Sequence, residues 1–320
     1  MKAAIVTDFA SAPQFGDFNT PLPQDGEVLV RVRAAALSNL VKAQAAGKHY
    51  SSVTSLPLVP GNDGVGLLPD GKRVYFVSPR TPFGSMAEQT VVSESNVIAV
   101  PDGLSDEAAA ALGNPGMASW AALLGRAHFV LGESVLINGA TGVAGQQAVQ
   151  AARALGARRI IVTGREPAVV EQLRDLGATE HVVLGSSTED IRVRLAAAFN
   201  GEPVDVVLDY LWGSSALAIL GALSGKGLPG GEPRVRFVQI GSASGEEIAF
   251  PAHILRSSGL ELLGSGLGSL SQVEILAALK QQFRWAATNA LHIATRAVRL
   301  SEVAEAWRTT ESGTRTVLLP

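Results

Sequence analysis

The stretch from Ser134 to Gly156 leaves the chain few ways to fold. Val135 to Asn138 is a short run, apolar up to its last residue, as in a strand buried on both faces. Glycines follow at 139, 142 and 145, and a helical stretch from Gln146 to Leu155 stops at Gly156. A strand, a glycine turn and a helix N-terminus together make a phosphate site, because the first N–H groups of a helix lack intrahelical acceptors. Glycines let the backbone approach a pyrophosphate where a Cβ would collide. The spacing is G-x-x-G-x-x-G rather than G-x-G-x-x-G, so the flanking strand and helix carry the assignment. Gly139, Ala140, Thr141, Gly142, Val143 and Gly145 are the expected contacts to a dinucleotide.

Ala144, Ala148, Ala152 and Leu155 follow helical spacing and are expected to face a sheet, with Arg159 to Thr163 as the next parallel strand. An NAD site would carry an acid roughly twenty residues past the last glycine, bonded to the ribose 2′-hydroxyl. This strand ends instead in Thr163-Gly164-Arg165. A guanidinium there suits a 2′-phosphate, to which it makes charge-assisted and often bidentate bonds. The expectation is an NADP site that includes Gly164 and Arg165. Two other readings stand beside it: Arg165 as a solvated charge opening a helix, and Glu166 as the hydroxyl-binding acid.

At 320 residues the chain has room for two domains, each with its own core. Its formal net charge is -3, no basic run is present and aromatics are sparse, which argues against a nucleic-acid partner. It contains no cysteine, so disulfides, thiolate metal sites and cysteine nucleophiles are excluded. Met1 to Asp8 reads as a first strand rather than a signal peptide, and no apolar stretch reaches bilayer length. A cytoplasmic protein with no membrane partner is expected.

The first third reads as β-rich, with strands at Glu27–Ala34, Lys72–Val77 and Ala87–Val92 punctuated by Pro and Gly. Helices are expected at Ser105–Leu112 and Met117–Leu124. From Ser134 to Gly266 strands and helices alternate, the pattern of a doubly wound parallel sheet in an α/β fold. After the first two, its strands are His181–Leu184, Val204–Asp209, Arg234–Ile240 and Leu260–Leu263, with helices clearest at Pro167–Leu176 and Thr188–Phe199 and a loop at Gly225–Pro233. The tail holds a helix at Ser271–Ala287, a segment at Ala294–Val298, a helix at Ser301–Thr309 and a strand at Thr316–Leu319. Strand C-termini form the ligand crevice of such sheets. Ile240, Gly241, Ser242, Gly264 and Ser265 are therefore candidate nicotinamide contacts, and Tyr210 either flanks the adenosine or pyrophosphate or is structural. Leu260–Gly264 would be an edge strand, open to pairing with a second copy as a homodimer.

Together, Met1-Lys2-Ala3-Ala4, Gly26 to Val32, Ala34-Ala35-Ala36, Pro60 to Gly66, Gly84 to Glu88, Leu176-Gly177-Ala178 and Glu311-Ser312-Gly313 carry a likeness over nearly the whole chain. The sequence resembles the medium-chain dehydrogenase/reductase superfamily and, within it, the zinc-independent quinone oxidoreductase group. The resemblance implies a doubly wound Rossmann domain (119–266) inserted in a discontinuous, β-rich, GroES-like catalytic domain (1–118 and 267–320). It also implies NADPH as hydride donor and commonly a homodimer. Zinc-dependent members have a cysteine where Ser38 stands and a His-Glu pair where Asn62 and Asp63 stand. A catalytic zinc needs three sulfur, imidazole or carboxylate ligands, so no metal is expected. The quinone oxidoreductase group has Asn-Pro and an Asp where this chain has Ser38, Asn39 and Val41, and the resemblance places Ser38 and Asn39 beside the nicotinamide. Related reductases carry a tyrosine after a glycine in the segment here written Gly47-Lys48-His49-Tyr50. Counting from Gly47 selects His49 and counting back from Pro60 selects Tyr50, so Tyr50 and then His49 are the catalytic candidates.

The function expected is NADPH-dependent, metal-independent reduction of a quinone or α,β-unsaturated carbonyl. The alternatives are a 2-enoyl thioester reductase and a non-catalytic NADPH-binding sensor.

Overall fold

The computed structural model describes the whole chain except residues 186, 200, 201, 203, 225–232, 290, 310 and 312. The loop expected at 225–233 and Ser312 of the C-terminal motif thus lie almost wholly, or wholly, outside the described residues. Two compact units divide the chain: Pro115–Ala278, and Met1–Asn114 together with Leu279–Pro320.

The inserted unit is built on six strands: β1 (Ser134–Asn138), β2 (Arg159–Gly164), β3 (Glu180–Val183), β4 (Val206–Asp209), β5 (Arg234–Gln239) and β6 (Gly259–Gly264). They lie in the order β3-β2-β1-β4-β5-β6, and every pairing is parallel. This is the doubly wound arrangement, whose strand order reverses between β1 and β4 and opens a crevice at their C-terminal ends. All five residues of β1 are buried, which is why that strand lacks the alternation of a half-exposed one. Helices α1 (Val143–Ala154), α2 (Pro167–Leu176), α3 (Thr188–Phe199), α4 (Gly213–Ala222) and α5 (Ala252–Arg256) connect the strands. Leu136, Ile161, Val207 and Phe237, from four neighbouring strands, share a core with Leu195, Phe199 and Ile219 from α3 and α4.

The other unit carries a seven-stranded sheet. Its path runs Ala294–Arg299, Thr314–Leu319, Glu27–Ala36, Asp63–Leu67, Arg73–Val77 and Val97–Ala99, with Gln89–Ser93 also paired to Glu27–Ala36. The first two of these strands pair in parallel and the rest antiparallel. The last strand of the chain pairs with the early one through Val317 opposite Ala36 and Leu318 opposite Ala35, so both ends of the sequence build one sheet. Val30, Val32, Val41, Val59, Phe76, Met86, Val303 and Leu318 form its core.

Three differences from the sequence reading stand out, and two of them have a physical cause in the packing. The two helices expected at Ser105–Leu112 and Met117–Leu124 are one helix, Asp106–Ala121, which widens into a π-helical turn over Ala122–Arg126. Pro115 lies inside it. A proline there costs about 3 kcal/mol. Burial of Leu112, Trp120 and Leu123, worth about 2 kcal/mol each, outweighs it. Asp63–Leu67 is a strand where the sequence reading named no element. A Cβ at Gly64 would lie 2.8 Å from the Ala34 carbonyl oxygen, and one at Gly66 only 2.5 Å from that of Arg31. These glycines permit close strand approach. The segment Ala294–Val298 is a strand that extends to Arg299.

Candidate functional site

The three glycines after β1 do three different jobs. Gly139 has a φ of 88°, a left-handed conformation that turns the chain sharply out of the strand. A Cβ at Gly145 would lie 2.4 Å from the Gly139 carbonyl oxygen and 2.5 Å from Ala140 Cα, so this glycine lets α1 sit directly on the turn. Gly142 is exposed, and its Cβ would meet nothing nearer than 3.9 Å. It is the N-cap of α1, and no side chain caps the helix there. Packing therefore explains Gly139 and Gly145 but not Gly142, which borders open space in front of an uncapped helix N-terminus. Ala140 is buried, Thr141 and Val143 are half-buried, and Gln146 Nε2 donates to the Thr141 carbonyl at 3.1 Å.

The turn is held from below by a buried polar network that the sequence reading did not anticipate. Thr163 Oγ1 accepts the Gly139 N–H at 3.1 Å and donates to Asn138 Oδ1 at 2.8 Å. Asn138 Nδ2 donates to Asp209 Oδ1 at 2.7 Å and to Ser215 Oγ at 2.9 Å. Asp209 also accepts the N–H groups of Leu211 and Trp212, at 3.0 and 3.1 Å. Burial raises its carboxyl pKa, and these same hydrogen bonds oppose the rise. Trp212 has a φ of 58°, costly for a bulky residue, and its N–H bonds to Asp209 hold it there. The network ties the ends of β1, β2 and β4 together, so the crevice floor is rigid before any ligand arrives.

At the end of β2, a Cβ on Gly164 would meet Thr141 Cγ2 at 2.7 Å and Val170 Cγ2 at 2.5 Å, which brings this strand end against the glycine turn. Arg165 is exposed and forms no ion pair among the described residues. Glu166 is the N-cap of α2 but its side chain makes no cap bond. Neither residue is committed to a structural task.

The other strand ends divide. Tyr210 is half-buried and its hydroxyl is paired with Ser119 Oγ at 2.9 Å, a structural engagement. Burial pushes its phenol pKa upward. Ile240 and Gly241 both donate their N–H to the Asp209 carbonyl, at 2.8 and 3.1 Å, and a Cβ at Gly241 would press on the Tyr210 carbonyl oxygen. Ser242 Oγ donates to Glu246 at 3.2 Å. Gly264 has open space around its Cα, and Ser265 is buried with its N–H donated to Gln239 at 2.8 Å. Thus 139–145, Gly164 and the 240–242 segment gather at the C-terminal end of one sheet, with Gly264 and Ser265 at its β6 edge.

The remaining candidates belong to the other unit. Ser38 is the N-cap of the helix Asn39–Ala45, and its hydroxyl accepts the Val41 N–H at 3.2 Å. A serine just before a helix is itself a readable cap signal. Asn39 is exposed. Tyr50 is 74% exposed and its ring lies 4.1 Å from that of His49. His49 Nδ1 is 2.7 Å from Ser51 Oγ, and burial lowers the imidazole pKa. Asn62 donates its amide to Gln44 Oε1, and the buried Asp63 accepts the Tyr75 hydroxyl. Burial raises the Asp63 carboxyl to about 6, against the pull of the Tyr75 hydrogen bond and the Arg315 guanidinium. No cluster of three or more metal-ligating side chains occurs among the described residues. No helix among them is long and apolar enough to cross a membrane.

A family model described as zinc-binding dehydrogenase matches residues 144–282. A protein of Emericella nidulans named "Probable NADPH-dependent quinone reductase" is 28% identical over 100% of both chains. The quinone oxidoreductase of Pongo abelii is 33% identical over 52% of this chain and 54% of its own, so that match spans about half of the relative. Among solved structures, the quinone oxidoreductase of Thermus thermophilus, also determined with NADPH, is 25% identical over 100% of both chains with a TM-score of 0.79. Sheet order, glycine turn and these likenesses agree: the chain belongs to the medium-chain dehydrogenase/reductase superfamily, in its quinone oxidoreductase-like group.

Proposed function

We propose that this protein is an NADPH-dependent oxidoreductase that passes a hydride, without a metal, to a quinone or an α,β-unsaturated carbonyl. One observation carries the cofactor half of the reading: Gly142 opens on empty space before an uncapped helix, with the uncommitted Arg165 at the next strand end. In that arrangement the N–H groups at the start of α1 hold the pyrophosphate, and Arg165 holds the 2′-phosphate. Gly164, Gly241, Ser242, Gly264 and Ser265 line the path toward the nicotinamide. NADPH supplies the hydride when bound.

The residues at the positions of zinc ligands do not fit that metal. Ser38 Oγ is taken up by a helix cap, the Asn62 amide nitrogen acts as a donor, and Asp63 is buried against Tyr75. No step is therefore routed through zinc. Hydride addition to a conjugated acceptor builds negative charge on its oxygen, which a nearby donor stabilises. Tyr50 and His49 are assigned that task, and Ser38 and Asn39 the nicotinamide neighbourhood. The unit 115–278 is then the cofactor domain, and the unit formed by 1–114 and 279–320 the catalytic one. β6 stands at the edge of its sheet, and we assign homodimer pairing to it.

The experiment is a panel of quinones and enones followed by NADPH oxidation, with and without a chelator. Chelator-resistant turnover on at least one class is expected. A second reading, NADPH binding without catalysis, is favoured by the capping engagement of Ser38. Tight NADPH binding with no turnover on the whole panel would decide for it.

A further inference from the structure

His49 sits at the end of a one-way chain of hydrogen bonds. Asn62 Nδ2 donates to Gln44 Oε1, Gln44 Nε2 donates to Ser51 Oγ at 2.8 Å, and Ser51 Oγ lies 2.7 Å from His49 Nδ1. The Ser51 peptide N–H also points at Nδ1, at 3.2 Å. A peptide N–H can only donate, so Nδ1 is an acceptor and cannot carry a proton. The Ser51 hydroxyl, already receiving the Gln44 amide, has its own hydrogen free for the same nitrogen. Two donors thus converge on Nδ1, and a third bond, from the His49 N–H to Ser52 Oγ at 3.1 Å, fixes the backbone beneath the ring.

The ring proton must then reside on Nε2. We propose that Gln44 and Ser51 are positioning residues that lock His49 as the neutral Nε2–H tautomer, making it a hydrogen-bond donor to the acceptor's carbonyl oxygen rather than a cation or a base. The assignment of a task to that donor rests on the function proposed above; the tautomer itself does not. A neutral imidazole N–H stabilises a developing oxyanion without giving up its proton. Protonation of Nδ1 would drive its hydrogen against two donors, and burial of the ring opposes the cation in the same direction. The Tyr50 ring packs on His49, and no carboxylate or cation forms an ion pair with His49 among the described residues.

Gln44 is the sensitive point because its amide both accepts and donates. Gln44→Glu keeps size and shape and still accepts from Asn62, but can only accept from Ser51. The Ser51 hydroxyl must then turn toward residue 44 and offer its lone pairs to His49. The test is long-range proton–nitrogen NMR on the full-length ¹⁵N-labelled protein, with His49 assigned by a His49→Gln sample among the five histidines. The expected wild-type spectrum has Nδ1 unprotonated and Nε2 protonated at pH 7. In Gln44→Glu the Ser51 hydroxyl no longer donates to Nδ1 and only the peptide N–H remains, so the ring titrates about one pH unit higher, while the other four histidine signals stay in place. Ser51→Ala removes one of the two donors and raises the titration by less. A wild-type spectrum with the proton on Nδ1, or an unmoved His49 in a folded Gln44→Glu, overturns the proposal. On an active acceptor, Gln44→Glu is expected to lower kcat about tenfold with NADPH KM unchanged; an unchanged kcat overturns the donor role. If the tautomer is as described and the wild type turns over nothing, the proposed enzymatic function fails and the relay stands.

Discussion

Arg165 illustrates how much one side chain decides. It follows β2, is exposed, and has no ion pair among the described residues to hold it. A charge-assisted bond to a 2′-phosphate is worth about 1.5–3 kcal/mol. Arg165→Ala should therefore weaken NADPH binding about ten- to a hundredfold and leave NADH nearly untouched, as read by fluorescence titration of both. Equal affinities of the parent protein for the two cofactors would remove the assignment. Tyr50 is the opposite kind of residue, 74% exposed and stacked on His49. Tyr50→Phe keeps the ring and removes only the hydroxyl. If that hydroxyl serves the reaction, kcat on an enone drops about a hundredfold while NADPH affinity holds; full turnover would leave His49 as the remaining candidate. At 165 the residue type, placed just after β2, is what suggests a 2′-phosphate partner. For Tyr210 the sequence left two readings open, and its hydroxyl is paired with Ser119, 91 positions earlier.

At the scale of the element, the strand–turn–helix from β1 to α1 separates packing from binding. Gly145→Ala places a methyl group 2.4 Å from the Gly139 carbonyl oxygen, where backbone rather than a flexible side chain must yield. That substitution should destabilise the protein by about 1–3 kcal/mol, seen as a lower urea midpoint. Gly142→Ala meets nothing closer than 3.9 Å and occupies an ordinary φ of −77°, so the midpoint should hold within about 0.5 kcal/mol. Its methyl group would instead stand where the pyrophosphate must approach, and NADPH affinity should fall. A Gly142→Ala protein with parental affinity would mean that the cofactor does not cross this turn. The helix Asp106–Ala121 makes the complementary point, since two separate helices were expected there and the Pro115 inside it is outweighed by burial on either side.

For the whole molecule, Asp63 and β6 supply the tests. The Asp63 carboxyl, raised by burial to about 6, holds its proton in the folded chain at pH values where the unfolded chain has released it. Between about pH 4 and 6 the native state binds more protons, so this group's contribution to stability falls as pH rises, and is largest below pH 4. Over the whole window that amounts to about 3 kcal/mol. Asp63→Asn cannot titrate, so its stability should lose less than the parent's on going from pH 4 to 6, measured by urea unfolding at fixed ionic strength. Absolute stability also changes, because the half-buried Arg315 loses a nearby negative charge, which is why the slope is the readout. β6 ends the sheet with Leu262 40% exposed. A dimeric mass is expected in solution, with Leu262→Lys shifting it toward monomer; a monomeric parent protein would remove the pairing proposal.

Local structure is what the sequence could settle alone. A buried strand, three glycines and a helix start lie within a dozen residues, and their order admits little besides a βαβ phosphate turn. Alternation of strands and helices likewise foretold a parallel sheet, because hydrophobic period and connection length are properties of neighbours in sequence. The tertiary structure decided what each polar group does. Ser38 caps a helix, Thr163 and Asn138 brace the glycine turn from below, and Asn62 sets a polarity that reaches His49 through Gln44 and Ser51. A hydrogen-bond donor or acceptor takes whichever partner the fold delivers, often from tens of residues away. Residue type limits what a side chain can do, and the partner it meets selects among those possibilities.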